Sequence, residues 1–90
     1  MGIKKIARPI NKAKNTFIEW LKKNDAEEID DFEGLRDDSW TYYRSVSAFV
    51  GESLYVVDFM IWRKDISIDY SDGENTYKKM SVSEFLLLID

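Results

Sequence analysis

The chain has 90 residues with no cysteine and no histidine, and its 13 Lys and Arg residues stand against 17 Asp and Glu residues, for a net charge of −4. A chain of this length buries only about 60 to 65% of its unfolded surface, so residues 1–90 are expected to form one small domain. The absence of cysteine excludes disulfides and thiolate nucleophiles, and the absence of histidine removes the commonest general base and metal ligand near neutral pH. These features favour a cytoplasmic binding protein without a cofactor over an enzyme.

The charges are segregated along the chain. Residues 1–24 carry seven basic residues and one acidic residue, residues 25–38 carry eight acidic and one basic, and residues 39–90 carry five basic and eight acidic. The three segments therefore have net charges of +6, −7 and −3. No linker composition or internal repeat accompanies these changes, so the segments are interpreted as regions of a single domain.

The basic segment is predicted to form an amphipathic helix from about Pro9 to Lys23. Apolar residues recur every three or four positions from Ile3 to Trp20, and proline suits the first turn of a helix. We expect the apolar stripe to pack on a sheet, as the second layer of the domain. Contact of the lysines with nucleic acid or with an anionic membrane is the alternative. The longest apolar run, Phe85 to Ile89, is too short to cross a membrane.

The acidic segment, Asp25 to Asp38, is predicted to form a second, short helix. Asp25 could cap its start with Glu28 three residues later, and Gly34 could end it. The buried side of this helix would consist of the apolar residues Ile29, Phe32 and Leu35. Eight carboxylates in 14 residues repel one another, and such a concentrated negative field can attract a basic groove on another protein.

From Trp40 onward the apolar period changes to two, which predicts antiparallel strands. Gly51-Glu52 suits a two-residue hairpin turn between strands at Thr41 to Val50 and Ser53 to Trp62. The turn sets a register that pairs Phe49 with Leu54, Ala48 with Tyr55, Val46 with Val57, Ser45 with Asp58, Arg44 with Phe59, Tyr43 with Met60 and Tyr42 with Ile61. One face then carries Tyr42, Arg44, Val46, Ala48, Tyr55, Val57, Phe59 and Ile61. With Arg44 as its only charge, this face is predicted to be the core.

Two further strands are predicted, near Ile66 to Tyr70 and near Thr76 to Lys79, joined by a turn at Asp72-Gly73. Ser81 with Glu84 forms a capping box ahead of a terminal helix, Val82 to Ile89. This helix is expected to bury Phe85, Leu88 and Ile89. The predicted fold class is α+β, with an N-terminal helix, a short acidic helix, a three- or four-stranded antiparallel meander and a short C-terminal helix.

The outer face of the meander combines aromatic, apolar and acidic residues, including Tyr43, Asp58, Trp62 and Asp69. Such a mixture is typical of a protein interface, although the helices or a second copy of the chain could also cover this face. Asp58, Asp65 and Asp69 could in principle hold Mg²⁺ or Ca²⁺, but their spacing matches no calcium loop. No metal site is therefore predicted.

Motifs for catalysis are missing from the sequence. It contains no G-x-S-x-G elbow, phosphate-binding loop or glycine-rich dinucleotide fingerprint, and a serine nucleophile would have no histidine to activate it. We therefore expect a protein that is not an enzyme and that binds another, basic protein. The expected binding residues are Asp25, Glu27, Glu28, Asp30, Asp31, Glu33, Asp37, Asp38, Tyr43, Asp58, Trp62 and Asp69.

In its small size, the acidic stretch NDAEEIDDFEGLRDDS and the order of helix then meander, the chain resembles the small acidic inhibitors encoded by phages and mobile elements, such as anti-CRISPR proteins and uracil-DNA glycosylase inhibitors. The resemblance implies an inhibitor whose carboxylates stand in for the phosphates of nucleic acid. The basic N-terminal helix departs from the more uniformly acidic pattern of these inhibitors. Two alternatives remain: a self-associating subunit in which the +6 segment of one copy meets the −7 segment of another, and nucleic-acid or membrane contact through the basic helix.

Overall fold

The computed structural model describes residues 8–35, 41–62 and 65–89, which form an α+β domain. Ile3 and Ile6 of the predicted apolar stripe lie outside these ranges. In chain order the elements are α1 (Arg8–Lys23), β1 (Glu27–Leu35), β2 (Thr41–Val50), β3 (Ser53–Trp62), β4 (Asp65–Ser71), β5 (Thr76–Met80) and α2 (Val82–Ile89). The α+β class and both terminal helices are confirmed, but the described sheet has five strands rather than three or four. No helix in the described ranges has the length and apolar character needed to cross a membrane.

The five strands form an antiparallel meander in the order β1-β2-β3-β4-β5, which leaves β1 and β5 at the edges. All seven predicted pairs between β2 and β3 are confirmed, including Val46 with Val57 and Ser45 with Asp58. Gly51 has a φ of 63°, the left-handed conformation that a two-residue hairpin turn requires at its first central position. The turn chemistry therefore set the register correctly.

The predicted acidic helix is wrong, because Glu27 to Leu35 form the edge strand β1. This strand pairs with β2, and an extra residue bulges out where the pairing shifts between Glu27 and Asp30. Gly34 lies within the strand, opposite Tyr43, and ends no helix. Pairing with a strong neighbouring strand has overridden the helical spacing of the apolar residues.

Asp25 does not cap the start of a helix but closes the end of α1. Its φ is 56°, its N–H donates to the Lys22 carbonyl (3.2 Å), and the Ala26 N–H donates to the Leu21 carbonyl (3.0 Å). These two bonds define a Schellman motif, in which glycine is the usual left-handed residue. A side chain makes this conformation less favourable, and the Asp25 carboxylate also lies at the negative end of the helix dipole.

Both helices pack on the same face of the sheet, which we call the helix face. Phe85 of α2 meets Phe17 of α1 and, in the sheet, Phe59 and Tyr70, with ring centroids 5.6 to 5.8 Å apart in edge-on arrangements. Every strand residue that the structure describes as buried belongs to this core: Tyr42, Val46, Ala48, Val57, Phe59, Ile61, Ile68, Tyr70 and Met80. The predicted core face of the hairpin is thus confirmed, with Tyr55 partly buried beside it.

The capping box of α2 is confirmed, since the Ser81 N–H donates to Glu84 Oε1 (2.9 Å) and the Glu84 N–H donates to Ser81 Oγ (3.1 Å). Phe85 and Ile89, four residues apart, are buried as predicted. The predicted burial of Leu88 is wrong, because its side chain is 40% exposed. A helix of eight residues buries one narrow stripe, and Leu88 lies at the edge of that stripe.

Replacing Asp25 by glycine is expected to stabilise the domain. Asp25→Gly relieves the left-handed strain and removes an unfavourable charge, and should raise the free energy of unfolding by about 0.5 to 1 kcal/mol. Urea denaturation measures this change. Asp25→Ala, which removes the charge but keeps Cβ, should give a smaller gain; an equal gain in both variants would contradict the role of the left-handed conformation.

Truncating Phe85 is expected to remove most of the stability of the domain. Phe85→Ala should cost about 3 to 5 kcal/mol, because it opens a cavity among three aromatic rings. Leu87→Ala, at a side chain that is 78% exposed, should change stability by less than about 0.5 kcal/mol. Urea denaturation of both variants provides the comparison. A Phe85→Ala cost below about 1 kcal/mol would show that this cluster is not the centre of the core.

Candidate protein-binding surface

The side chains of β1 alternate between the two faces of the sheet. Asp31 faces Val46 and Glu33 faces Arg44, which places both carboxylates on the helix face. Asp30 faces Ser47 and Phe32 faces Ser45, which places them on the opposite face. We call that opposite face the open face, since the described helices do not cover it. The acidic strand therefore presents carboxylates to both sides of the sheet.

On the helix face, Arg44 neutralises the two carboxylates of β1. Its Nε and Nη2 donate to the two oxygens of Asp31 (3.0 and 3.2 Å), and its Nη1 donates to Glu33 Oε2 (3.0 Å) and to Asn11 Oδ1 (3.0 Å). Lys14 Nζ lies 3.4 Å from Asp31 Oδ2, and the Tyr42 hydroxyl donates to Glu33. This network ties the edge strand to β2 and to α1.

The network shifts the pKa values of its members. Burial by itself raises the pKa of Asp31, but the hydrogen bonds and charges of Arg44 and Lys14 outweigh it, so that pKa lies below its usual value. The hydrogen bond to Asp31 raises the pKa of Arg44, and burial together with the bond to Glu33 raises the pKa of Tyr42. Both β1 carboxylates on the helix face thus already have partners within the chain.

The other predicted acidic residues divide into two groups. Glu27, Glu28 and Asp30 are exposed and form no ion pair with any residue in the described ranges. Asp25 is exposed beside them at the end of α1. Asp37, Asp38 and the side chain of Trp62 lie outside the described residues. The free negative charge of the described acidic segment is therefore concentrated at the start of β1.

Tyr43, Asp58 and Asp69, predicted as binding residues, lie close together on the open face. The Tyr43 hydroxyl donates to Asp58 Oδ1 (3.0 Å), and Asp58 faces Asp69 directly across β3 and β4. Asp69 Oδ1 accepts the N–H of Lys79 (3.0 Å). Asp65 faces Trp62 at the far end of the same pair of strands. No three carboxylates in the described part of the chain lie close enough together to hold a metal ion.

Phe32 is a surface residue that the sequence analysis assigned to a buried helix side. Its side chain is 56% exposed, and its ring centroid lies 6.1 Å from that of Tyr43. It connects the free carboxylates of β1 with the aromatic and acidic residues of the open face. No signal in the sequence indicates the exposure of Phe32, because that exposure follows from β1 being a strand. The neighbours Asp30 and Gly34 are poor strand formers and so hide the strand.

A groove of about 630 Å³ lies on the other side of the molecule, between α1 and α2. It is lined by Thr16, Glu19, Trp20, Lys23, Ser83, Leu86, Leu87 and Ile89. Its rim carries one acid, Glu19, and one base, Lys23, and so has no net charge to select a basic partner. The open face and the start of β1 are therefore the better candidates for binding a basic protein.

The ion pair of Asp31 should make stability depend on pH. Because its folded pKa is below the unfolded value of 3.8, the pair stabilises the fold above about pH 4, and this contribution is lost as pH falls through the folded pKa. Asp31→Asn should cost about 1 kcal/mol at pH 7 and almost nothing at pH 2. Asp30→Asn, which breaks no ion pair with a described residue, should show no such loss at pH 7. An Asp31→Asn cost that is equal at both pH values in urea denaturation would contradict this assignment.

No family model matches the chain, and neither a curated protein nor a solved structure is significantly similar to it.

Proposed function

We propose that this chain is a small inhibitor that binds a basic protein through the start of β1 and the adjoining open face. The observation that carries the proposal is that the carboxylates of β1 fall into two groups, one paired with a cation and one without. Asp31 and Glu33 are paired with Arg44, whereas Glu27, Glu28 and Asp30 are exposed without a cation among the described residues. Free surface carboxylates grouped in this way attract and orient a basic partner.

The partner class that fits best is a protein with a basic groove for nucleic acid. Such grooves bind phosphates mainly through lysine and arginine, and carboxylates on a rigid strand can occupy the same positions. The β1 strand is paired with β2, and the Arg44 network binds its Asp31 and Glu33, so the backbone that presents the free carboxylates is in place before binding. Occupying the groove would block the partner's access to nucleic acid, which is the inhibitory step.

Two other functions have less support. In a head-to-tail assembly the basic segment of one copy would meet the acidic segment of the next, but Lys14 and Asp31 already form such a contact within one chain. Nucleic-acid or membrane contact through α1 would bring phosphates toward a domain whose edge strand and open face are acidic. We therefore favour the protein-binding function.

Neutralising the free carboxylates should weaken partner binding. The triple variant Glu27→Gln, Glu28→Gln and Asp30→Asn should bind the basic protein captured from a lysate of the source organism at least about tenfold more weakly, which is about 1.4 kcal/mol. Isothermal titration calorimetry with the purified partner measures the affinity.

The matched control removes three exposed carboxylates elsewhere, through Glu19→Gln, Glu52→Gln and Glu74→Gln. It changes the net charge by the same amount and should bind like the wild type. Equal affinities for the two triple variants would contradict the proposed function, as would the recovery of no basic protein by the wild-type chain.

A further inference from the structure

We infer that the open face is a docking surface for one amphipathic basic helix of the partner protein. This inference rests on the proposed function and deepens it, because it adds an apolar contact to the charge attraction and specifies what the partner must present. It is carried by three properties of the described strands: exposed apolar side chains, carboxylates without cations, and the size of the face.

The open face exposes apolar side chains that the core does not use. Phe49 and Leu54, which face each other across β2 and β3, are 38% and 43% exposed, and Phe32 is exposed on β1, opposite Ser45. Val56 is half-buried next to the Phe49 and Leu54 pair, and Tyr43 and Met60 are half-buried beyond the pair of Ser45 and Asp58. No described helix packs on this face, since both helices contribute to the core on the other side. Exposed apolar and aromatic side chains set among polar ones in this way are typical of a protein interface.

The same face is negatively charged. Among the described residues of β1 to β4 the only cation is Arg44, and it lies on the helix face. The open face of these strands carries Asp30, Asp58 and Asp69 instead. Lys78 and Lys79 of the edge strand β5 lie next to Asp69 but form no ion pair with any described residue. Asp58 and Asp69 face each other across β3 and β4, an arrangement of like charges that disfavours the pairing. A lysine or arginine that docks above them would relieve this repulsion.

The charge pattern decides between possible occupants. Nucleic acid and anionic membranes carry negative charge, as this face does, and would be repelled by it. Two copies packed face to face would bring carboxylates against carboxylates. The helices of a second copy do not fit either. The exposed residues of α1 are polar or charged apart from Pro9, and the exposed leucines of α2 have no basic neighbour within that helix. The occupant is therefore a segment of another protein that carries both basic and apolar side chains.

The size of the face matches a single helix. Four strands spaced about 4.8 Å apart and seven to ten residues long present roughly 15 by 25 Å. A helix is about 10 Å wide and rises about 1.5 Å per residue, so roughly 16 residues would span the face. Apolar side chains of such a helix would lie on the Phe49 and Leu54 pair, and its lysines would reach Asp58 and Asp69.

The test uses a 16-residue helical peptide of lysine and leucine as the probe, titrated into the ¹⁵N-labelled full chain. We expect chemical-shift changes centred on β2, β3 and β4. Two double variants, Phe49→Ser with Leu54→Ser and Asp58→Asn with Asp69→Asn, should each bind at least tenfold more weakly. Leu87→Ser, a matched apolar-to-polar change on α2, should bind like the wild type. Circular dichroism establishes that each variant is folded.

The outcomes separate this inference from the proposed function. Weaker binding by Asp58→Asn with Asp69→Asn but unchanged binding by Phe49→Ser with Leu54→Ser would overturn the apolar contact. Shift changes centred on Trp20 and Leu87 would overturn the location, as would binding of a DNA duplex or of anionic vesicles to β2, β3 and β4. None of these results depends on the captured partner. The proposed function is tested separately, by the loss of affinity for that partner when Glu27, Glu28 and Asp30 are neutralised.

Discussion

The packing of both helices on one face of the sheet is the constraint on which the rest of the molecule depends. Phe17 and Phe85 bring α1 and α2 together over Phe59 and Tyr70, and the buried strand residues all face them. A domain of 90 residues has little apolar surface to bury beyond one such core. The other face of the sheet is consequently left with aromatic, apolar and acidic side chains at the surface, where a partner can reach them.

Arg44 determines which of the acidic residues remain free. As the only cation among the described residues of the first four strands, it sits on the helix face and binds Asp31 and Glu33. This contact fixes the edge strand to the sheet and leaves Glu27, Glu28 and Asp30 without a cation among the described residues. The segregation of charge in the sequence is thus partly neutralised within the fold, and what remains is a smaller and better-defined negative surface.

The parts of the fold that depend on local chemistry could be predicted from the sequence. The Gly51 turn sets the register of β2 and β3, Ser81 and Glu84 cap α2, and the apolar stripe of α1 is unambiguous. The strand β1 could not be predicted, because Ile29, Phe32 and Leu35 have helical spacing and the acidic residues around them are poor strand formers. Its stability comes from contacts with β2 and Arg44 that are distant in sequence, and the exposure of Phe32 follows from the same pairing.

The most direct measurement of the central claim, that the open face and the start of β1 form the binding surface, is hydroxyl-radical footprinting of the full chain with and without its captured partner. Side chains that the partner covers are labelled more slowly. We predict slower labelling of Phe32, Phe49 and Leu54 in the complex and unchanged labelling of Leu87. Protection of Leu87 and Trp20, with Phe32, Phe49 and Leu54 labelled as in the free chain, would contradict the claim and place the interface on the groove between the helices.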